Sequence, residues 1–582
     1  MAASIGRLLY PSHESSLTAV IRYEKDRARL RAWAGVQRRH DALRKKRART
    51  WAARVAAQGP WDPAVKPISL RGVPAVPMPV KVAREHELAP LLRHLRGRGG
   101  CEAHEGSGAR ELEDGRGEPG YGVRGAEFPR GVLYEDGRMD LCKMVVGPDH
   151  IGALMDSLRG NTFVRHFLLG NNIVGPRGAR EIAAFAAEFP GRMQTWYLAG
   201  NCIDAGSFRA LIDAWAAPAG AAVTDVWMKR NPLGAEAAGD AARLIARTGV
   251  QTLDLDQTEL GDAGVAALFE DLLRAETREP GKEEEECRFP LRQVYLNGNG
   301  ISEAGARAVG RFLGSPRCGI TSVYMSNNPL GNAGAAALAE GLSATPGLQR
   351  LLLESAGIGT RGAVALLEAL PRGTIRSLSL GQSYATEDLG QAYNWVGDEA
   401  VDALAALLRE SRLEYLSLGL CALSPAGLVR LAPSILASSS LLYFRAEFLP
   451  ARAAATATAG QDKGKGQGKG KGQPKATSCS VEAGARLQEL ARCERAIREH
   501  LEGNVRARYG AKGGATTMSY REFMDEEKRW LVNDGAVRRI DSVYRNRDAG
   551  MARRGAMTLV KHWEEGDDSL ERVMRGVTGL AV

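Results

Sequence analysis

The chain has 582 residues, of which 44% are apolar, 25% charged and only 6% aromatic, with 68 glycines and a formal net charge of +10 at pH 7. That length exceeds one ordinary domain, and abundant glycine with few aromatics favours a repetitive, turn-rich architecture over a deep globular core. No run of 18 apolar residues occurs, which speaks against a membrane-spanning helix, and the eight scattered cysteines, none in a CxxC pair, suit free thiols in a reducing compartment such as cytoplasm or nucleus.

Residues 1–57 read as a basic helical arm. Leu30, Trp33 and Val36 step by three, Leu43 lies seven further on, and Trp51 and Val55 follow at helical spacing, so the six share one broad face. The arm holds 14 Lys/Arg against 4 Asp/Glu, while the rest of the chain is balanced, so the net positive charge belongs here. Its densest run is Arg44, Lys45, Lys46, Arg47 and Arg49. Such a run suits nucleic acid, an anionic surface or import machinery, and equally a solvated helix that keeps the protein soluble.

Residues 58–138 read as a Pro/Gly-rich, mostly disordered connector, with Pro60, Pro63, Pro67, Pro74, Pro77 and Pro79 at its start and a Gly-rich stretch from Gly97 to Gly125. A short helical piece is predicted near His86–Leu95. His86, His94, Cys101 and His104 come near one another in sequence, but their spacing matches no zinc pattern, and no metal or cofactor is expected.

Repeats fill 139–447. With apolar residues required at positions 1, 4, 6 and 11 and a small or amide residue at 9, Val164, Phe167, Leu169, Asn172 and Val174 define the first unit. Units opening at Met193, Val223, Val250, Leu291, Ile320, Leu348, Ile375 and Leu413 follow, with Leu441–Phe448 as a closing strand. Seven of the nine spacings lie within two residues of 28, and the other two contain visible insertions, one acidic (Glu283–Glu286) and one running from Ser383 to about Trp395. Positions 4 and 6 alternate as on a strand with one buried face, an Asn at 9 can satisfy backbone groups at a turn, and a Gly-led, Ala/Leu-rich helix completes the unit.

A period near 28 with an LxxLxLxxN core resembles the ribonuclease-inhibitor-like subfamily of leucine-rich-repeat proteins. The resemblance covers roughly half the chain and implies an α/β solenoid, a horseshoe with a parallel sheet on its concave side and helices outside, to which the residue patterns on either side add helical N- and C-terminal extensions. It is specific for fold rather than function, because the family includes enzyme inhibitors, GTPase activators, ubiquitin-ligase adaptors and bacterial effectors.

Residues 448–480 contain a Lys/Gly-rich flexible linker, Lys463–Lys475, and 481–582 a helical module. In that module Leu487, Leu490, Ile497, Leu501 and Val505 trace one helix face, and Ser519 with Glu522 reads as a capping box. Arg538, Arg539, Arg545, Arg547, Arg553 and Arg554 form a basic cluster expected to pair with Asp525–Glu527 or Glu564–Asp568.

Position 5 of the repeats points to solvent if the strand period is two. It carries Tyr197, Trp227, Asp254, Tyr295 and Tyr324, with Asp256 beside them at position 7. Rigid amphipathic side chains on a concave wall are the residues of binding hot spots, so these six are the candidate partner-binding residues. The plainer alternatives are that aromatics favour strands, or that a flanking segment folds over the groove. No GxxxxGK[ST], HExxH or GxSxG pattern occurs. The expectation is a non-enzymatic scaffold binding a partner protein through the concave face. The alternatives are a nucleic-acid-associated protein using the basic arm and a Ran-type GTPase-activating regulator.

Overall fold

Position 4 and position 6 side chains need burial on the same side of a short extended segment, and that requirement sets the architecture. The computed structural model describes residues 16–69, 71–72, 75, 82–103, 108–112, 124–216, 222–275, 288–345, 347–383, 391–450, 479–509, 520, 523–524, 531 and 535–544. Strands β1 (Arg110–Glu111), β2 (Gly125–Glu127), β3 (Val132–Tyr134) and β4 (Arg138–Asp140) form an antiparallel start. They continue into β5 (His166–Leu168), β6 (Thr195–Tyr197), β7 (Asp225–Trp227), β8 (Thr252–Asp254) and β9 (Gln293–Tyr295). The series closes with β10 (Ser322–Tyr324), β11 (Arg350–Leu352), β12 (Ser377–Ser379), β13 (Tyr415–Gly419) and β14 (Tyr443–Glu447).

All fourteen join in chain order into one sheet that is not closed into a barrel, parallel from β4 to β14, with a helix after most strands. Phe167, Leu169, Trp196, Leu198, Val226, Met228, Leu253 and Leu255 meet Leu, Ile and Ala of those helices in one continuous buried core. At Gly310 and Gly341 the helices Glu303–Leu313 and Gly331–Leu342 touch backbone to backbone, and a methyl group at Gly341 would collide with the Gly310 carbonyl.

The position-9 amides form a ladder. Asn231 Oδ1 accepts from Asn201 N (2.9 Å) and Ile203 N (3.1 Å), while its Nδ2 donates to Leu198 O (2.9 Å) and Met228 O (2.8 Å). Asn172, Asn201, Asn299 and Asn328 repeat the pattern, so carbonyls that a sharp turn would leave buried and unpaired are satisfied. The eighth unit corrects the sequence spacing. Its ladder residue is Asn394, beyond the insertion: Oδ1 accepts from Ala356 N (2.9 Å) and Ile358 N (3.0 Å), and Nδ2 donates to Leu353 O (2.7 Å) and Leu380 O (2.9 Å).

Much of 58–138 is also structured, contrary to the composition. Leu88, Leu91, Leu92 and Leu95 of the helix Glu85–Arg96 are buried in the solenoid core and, with β2–β4, seal its first repeat. Average composition hid this apolar helix face, whose burial removes the otherwise exposed end of a repeat stack from water. At the other end, Ile497 and Leu501 of the helix Cys479–Tyr509 join the same core, and Asn504 Nδ2 donates to Ser438 O and Leu441 O, both at 2.9 Å.

Between the basic helix Ser16–Gln58 and the first cap, the described residues touch successively earlier repeats at the turns that follow their strands. Gln58 Nε2 donates to Gln391 O (2.7 Å) and its Oε1 accepts from Tyr393 N (2.6 Å), and Trp61 lies against Gly331 and Gly357. Gly72, at φ +75°, passes too close to the Gly298–Gly300 backbone for any side chain. Ala75 N then donates to Glu259 Oε1 (2.9 Å) and Ala83 N to Val145 O (2.8 Å).

Candidate functional site: the helix-free face of the sheet

Each three-residue strand sends its middle residue into the core and its outer two to the opposite face. Parallel register aligns these outer residues in rows. One row runs Tyr197, Trp227, Asp254, Tyr295, Tyr324 and Leu352, and a second runs His166, Thr195, Asp225, Thr252, Gln293, Ser322 and Arg350.

The rings of the first row touch. Centroids lie 6.2 Å apart for Tyr197–Trp227 and 5.2 Å for Trp227–Tyr295, and Tyr295 stacks on Tyr324 at 4.0 Å with planes 2° apart. Trp227 and Tyr295 stand on either side of β8, so they lean together across Asp254, which is 4% exposed. Burial raises the Asp254 carboxyl well above the ordinary 3.8, the neighbouring Asp256 adds to the shift, and Lys229 opposes it. Asp256 holds Lys229 Nζ at 3.1 Å and accepts Asn297 N at 2.7 Å, while its own N donates to Asp254 Oδ1 at 2.8 Å. Two buried carboxyls thus lie near one lysine, which contacts Asp256, and Asp254 is driven toward its neutral form.

In the second row Asp225 is 1% exposed and accepts from Thr224 Oγ1 (2.8 Å) and Thr195 Oγ1 (3.3 Å). Thr195 Oγ1 also meets His166 Nδ1 at 2.9 Å, and burial lowers the proton affinity of that imidazole. This histidine is tied into the sheet network.

The face is covered by the chain itself. Ala536, Val537 and Ile540 pack on Leu168, Tyr197, Trp227, Tyr295 and Tyr324 as a cluster separate from the solenoid core. Arg539 Nη1 reaches Asp225 Oδ2 at 2.7 Å. Upstream, Leu531 O accepts from Arg350 Nε (3.2 Å) and from Ser377 Oγ. Downstream, Arg138 Nη1 donates to Asp541 O (2.8 Å), Ser542 Oγ to Asp140 Oδ1 (3.0 Å), Val543 N to Tyr134 OH (3.2 Å), and Gly131 N to Tyr544 OH (3.1 Å). Residues 531 and 535–544 therefore lie across the sheet from β12 to the first cap, opposite to the repeat order.

No family model matches the chain, and no curated protein matches its sequence. Among solved structures it is similar to a chain of the yeast Rad7–Elc1 complex, with 12% identity over 51% of this chain and 66% of that one and a TM-score of 0.34. The repeat fold rests on the sheet, the helices and the amide ladder.

The six sequence-predicted face residues thus lie together, and Tyr197, Trp227, Asp254, Asp256, Tyr295 and Tyr324 are each under 8% exposed. Arg539 was expected to pair within its own module; it pairs with Asp225 on β7 instead. Sequence reasoning missed Asp225, whose only signal is a carboxylate two residues before Trp227. Of the basic run, Lys45, Lys46 and Arg49 are exposed on the helix Ser16–Gln58, while the side chains of Arg44 and Arg47 fall outside the described set. The acidic insertion, the Lys/Gly linker, the Ser519–Glu522 capping box and Arg545–Arg554 also lie outside the described residues. His94 Nε2 meets Gly100 O at 2.8 Å and its ring packs on Phe128, while His104 is not among the described residues. Burial pushes the Cys202 and Cys421 thiols up to about 12, which disfavours the reactive thiolate. Among the described residues no helix is long and apolar enough to cross a membrane, and no group of three His, Cys, Asp or Glu could hold a metal ion.

Proposed function

We propose that this chain is a non-enzymatic interaction scaffold, a leucine-rich-repeat solenoid of the ribonuclease-inhibitor-like kind, that binds a partner protein in cytoplasm or nucleus. Binding uses the concave, helix-free face, and the observation that carries this reading is the stretch 531–544 seated there on Tyr197, Trp227, Tyr295 and Tyr324. A surface that receives one peptide segment through stacked rings, a buried carboxylate and backbone hydrogen bonds has what another segment needs. The test is cross-linking of the full chain in its native extract, comparing wild type with Ile540→Asp, which places a charge on the ring cluster. Cross-links from a partner to the sheet face, enriched in the variant, support the reading. Partner cross-links confined to the helices or the N-terminal arm in both proteins defeat it.

The exposed Lys45, Lys46 and Arg49 favour a second reading, nucleic-acid binding through the arm. It requires an affinity that falls steeply with salt and disappears when the five basic residues Arg44–Arg47 and Arg49 are changed to Ser.

A further inference from the structure

Most polar contacts to the covering segment go to its backbone. Leu531 O, Asp541 O and Val543 N bond to Arg350, Ser377, Arg138 and Tyr134, and such contacts accept almost any sequence. Selectivity enters at β7 and β8. Asp225, 1% exposed, has two threonine hydroxyls and one cation, Arg539, and a carboxylate so enclosed needs a positive partner. The next residue, Ile540, lies on the ring cluster with Ala536. Trp227 Nε1 and Thr252 Oγ1, two buried polar atoms of the same strands, have no hydrogen-bond partner among the described residues, although Thr252 stands beside Asp225 in the register. The resident segment thus meets the charge and the apolar shelf, while a tryptophan donor and a threonine hydroxyl have no partner among the described residues, as is also true of Trp196 Nε1 and Trp215 Nε1 in the solenoid core.

We propose that this face is a receptor site for an arginine-bearing segment of a partner protein that presents a short helical turn, as Gly535–Arg538 does. The guanidinium sits on Asp225, an aliphatic residue directly after it sits on the Tyr197–Trp227–Tyr295–Tyr324 shelf, and a backbone carbonyl accepts from Trp227 Nε1. Residues 531–544 hold the site until such a segment displaces them. Charge complementarity selects this occupant: on β7, β8 and their following turns Asp256 is paired with Lys229, while the enclosed carboxylate of Asp225 takes its cation, Arg539, from the covering segment. An acidic segment would bring like charge to that carboxylate.

The proposal rests on the scaffold reading only in supposing that a partner exists; the chemistry of the site is tested without one. The probe is a labelled peptide with the sequence of residues 531–544, added to the full chain carrying Ile540→Asp and followed by fluorescence anisotropy. Exchange of β7–β10 amides reports whether the face is open, and the double variant Arg539→Glu/Ile540→Asp serves if the single one stays closed. The expected result is binding to the opened chain, at least tenfold weaker binding to wild type, and about thirtyfold or greater weakening when the peptide carries Arg539→Glu. Asp225→Asn in the chain should erase that preference for arginine. Equal binding of the two peptides, no binding to an open face, or a face that neither variant opens would each overturn the proposal. Arginine-selective binding without any cross-linked partner on the face would remove the scaffold function and leave the site chemistry intact.

Discussion

Replacing Asp254 by Asn should stabilise the protein at neutral pH. The carboxyl is 4% exposed on the strand between those of Trp227 and Tyr295, and the neighbouring Lys229 is already held by Asp256 at 3.1 Å. The hydrogen bond the carboxyl accepts from Asp256 N at 2.8 Å can be kept by an amide oxygen of the same shape. Because folding raises its proton affinity, the folded chain binds more protons than the unfolded one above the ordinary value of 3.8. Stability therefore falls as pH rises from 3.8 toward the raised folded value and is level above it. Replacing a buried charge by a neutral side chain of the same shape generally stabilises by about 1–3 kcal/mol where the cation beside it is already engaged, and a gain of that size is expected for Asp254→Asn at pH 7. At pH 3.5 both proteins carry a neutral side chain and the gain should vanish. Urea denaturation at both pH values measures this. An unchanged or lowered midpoint at pH 7, or an equal gain at both pH values, would refute the argument.

Other consequences are direct. Asn394→Ala removes two donated and two accepted hydrogen bonds from a buried ladder and should lower stability by about 3–5 kcal/mol, against about 1 kcal/mol for Ser383→Ala, as read by denaturant midpoints. Gly341→Ala forces apart two helices in backbone contact and should destabilise by about 2–4 kcal/mol, with no effect on peptide binding to the opened face. Ser542→Glu sets a carboxylate against buried Asp140 and should unseat 541–544, seen as faster amide exchange of β3 and β4, whereas Ser542→Ala should leave exchange within twofold of wild type.

The repeats were legible because burial on one side of a three-residue strand imprints a fixed spacing of apolar residues, and Asn at position 9 marks the turn. The eighth ladder position was not, because Asn394 reaches its slot across an insertion whose length no spacing rule supplies. The Leu88–Leu95 face shows helical spacing, but nothing local says that it seals a repeat stack some fifty residues away. Position 5 placed Tyr197, Trp227, Tyr295 and Tyr324 in one row, yet their burial depends on a segment more than two hundred residues later in sequence. That segment carries only Ala536, Val537, Arg539 and Ile540 as a signal, too short for a periodicity to stand out. Contacts between a strand row and a remote peptide leave no shared pattern in either.

Hydroxyl-radical footprinting of individual aromatic side chains tests the central claim most directly. In the full wild-type chain Trp227, Tyr295 and Tyr324 should be protected as strongly as the core residue Trp196, and in Arg539→Glu/Ile540→Asp they should become oxidised while Trp196 does not. Labelling of Trp227 and Tyr295 in the wild type at the rate of exposed residues, or their continued protection in the variant, would contradict the account.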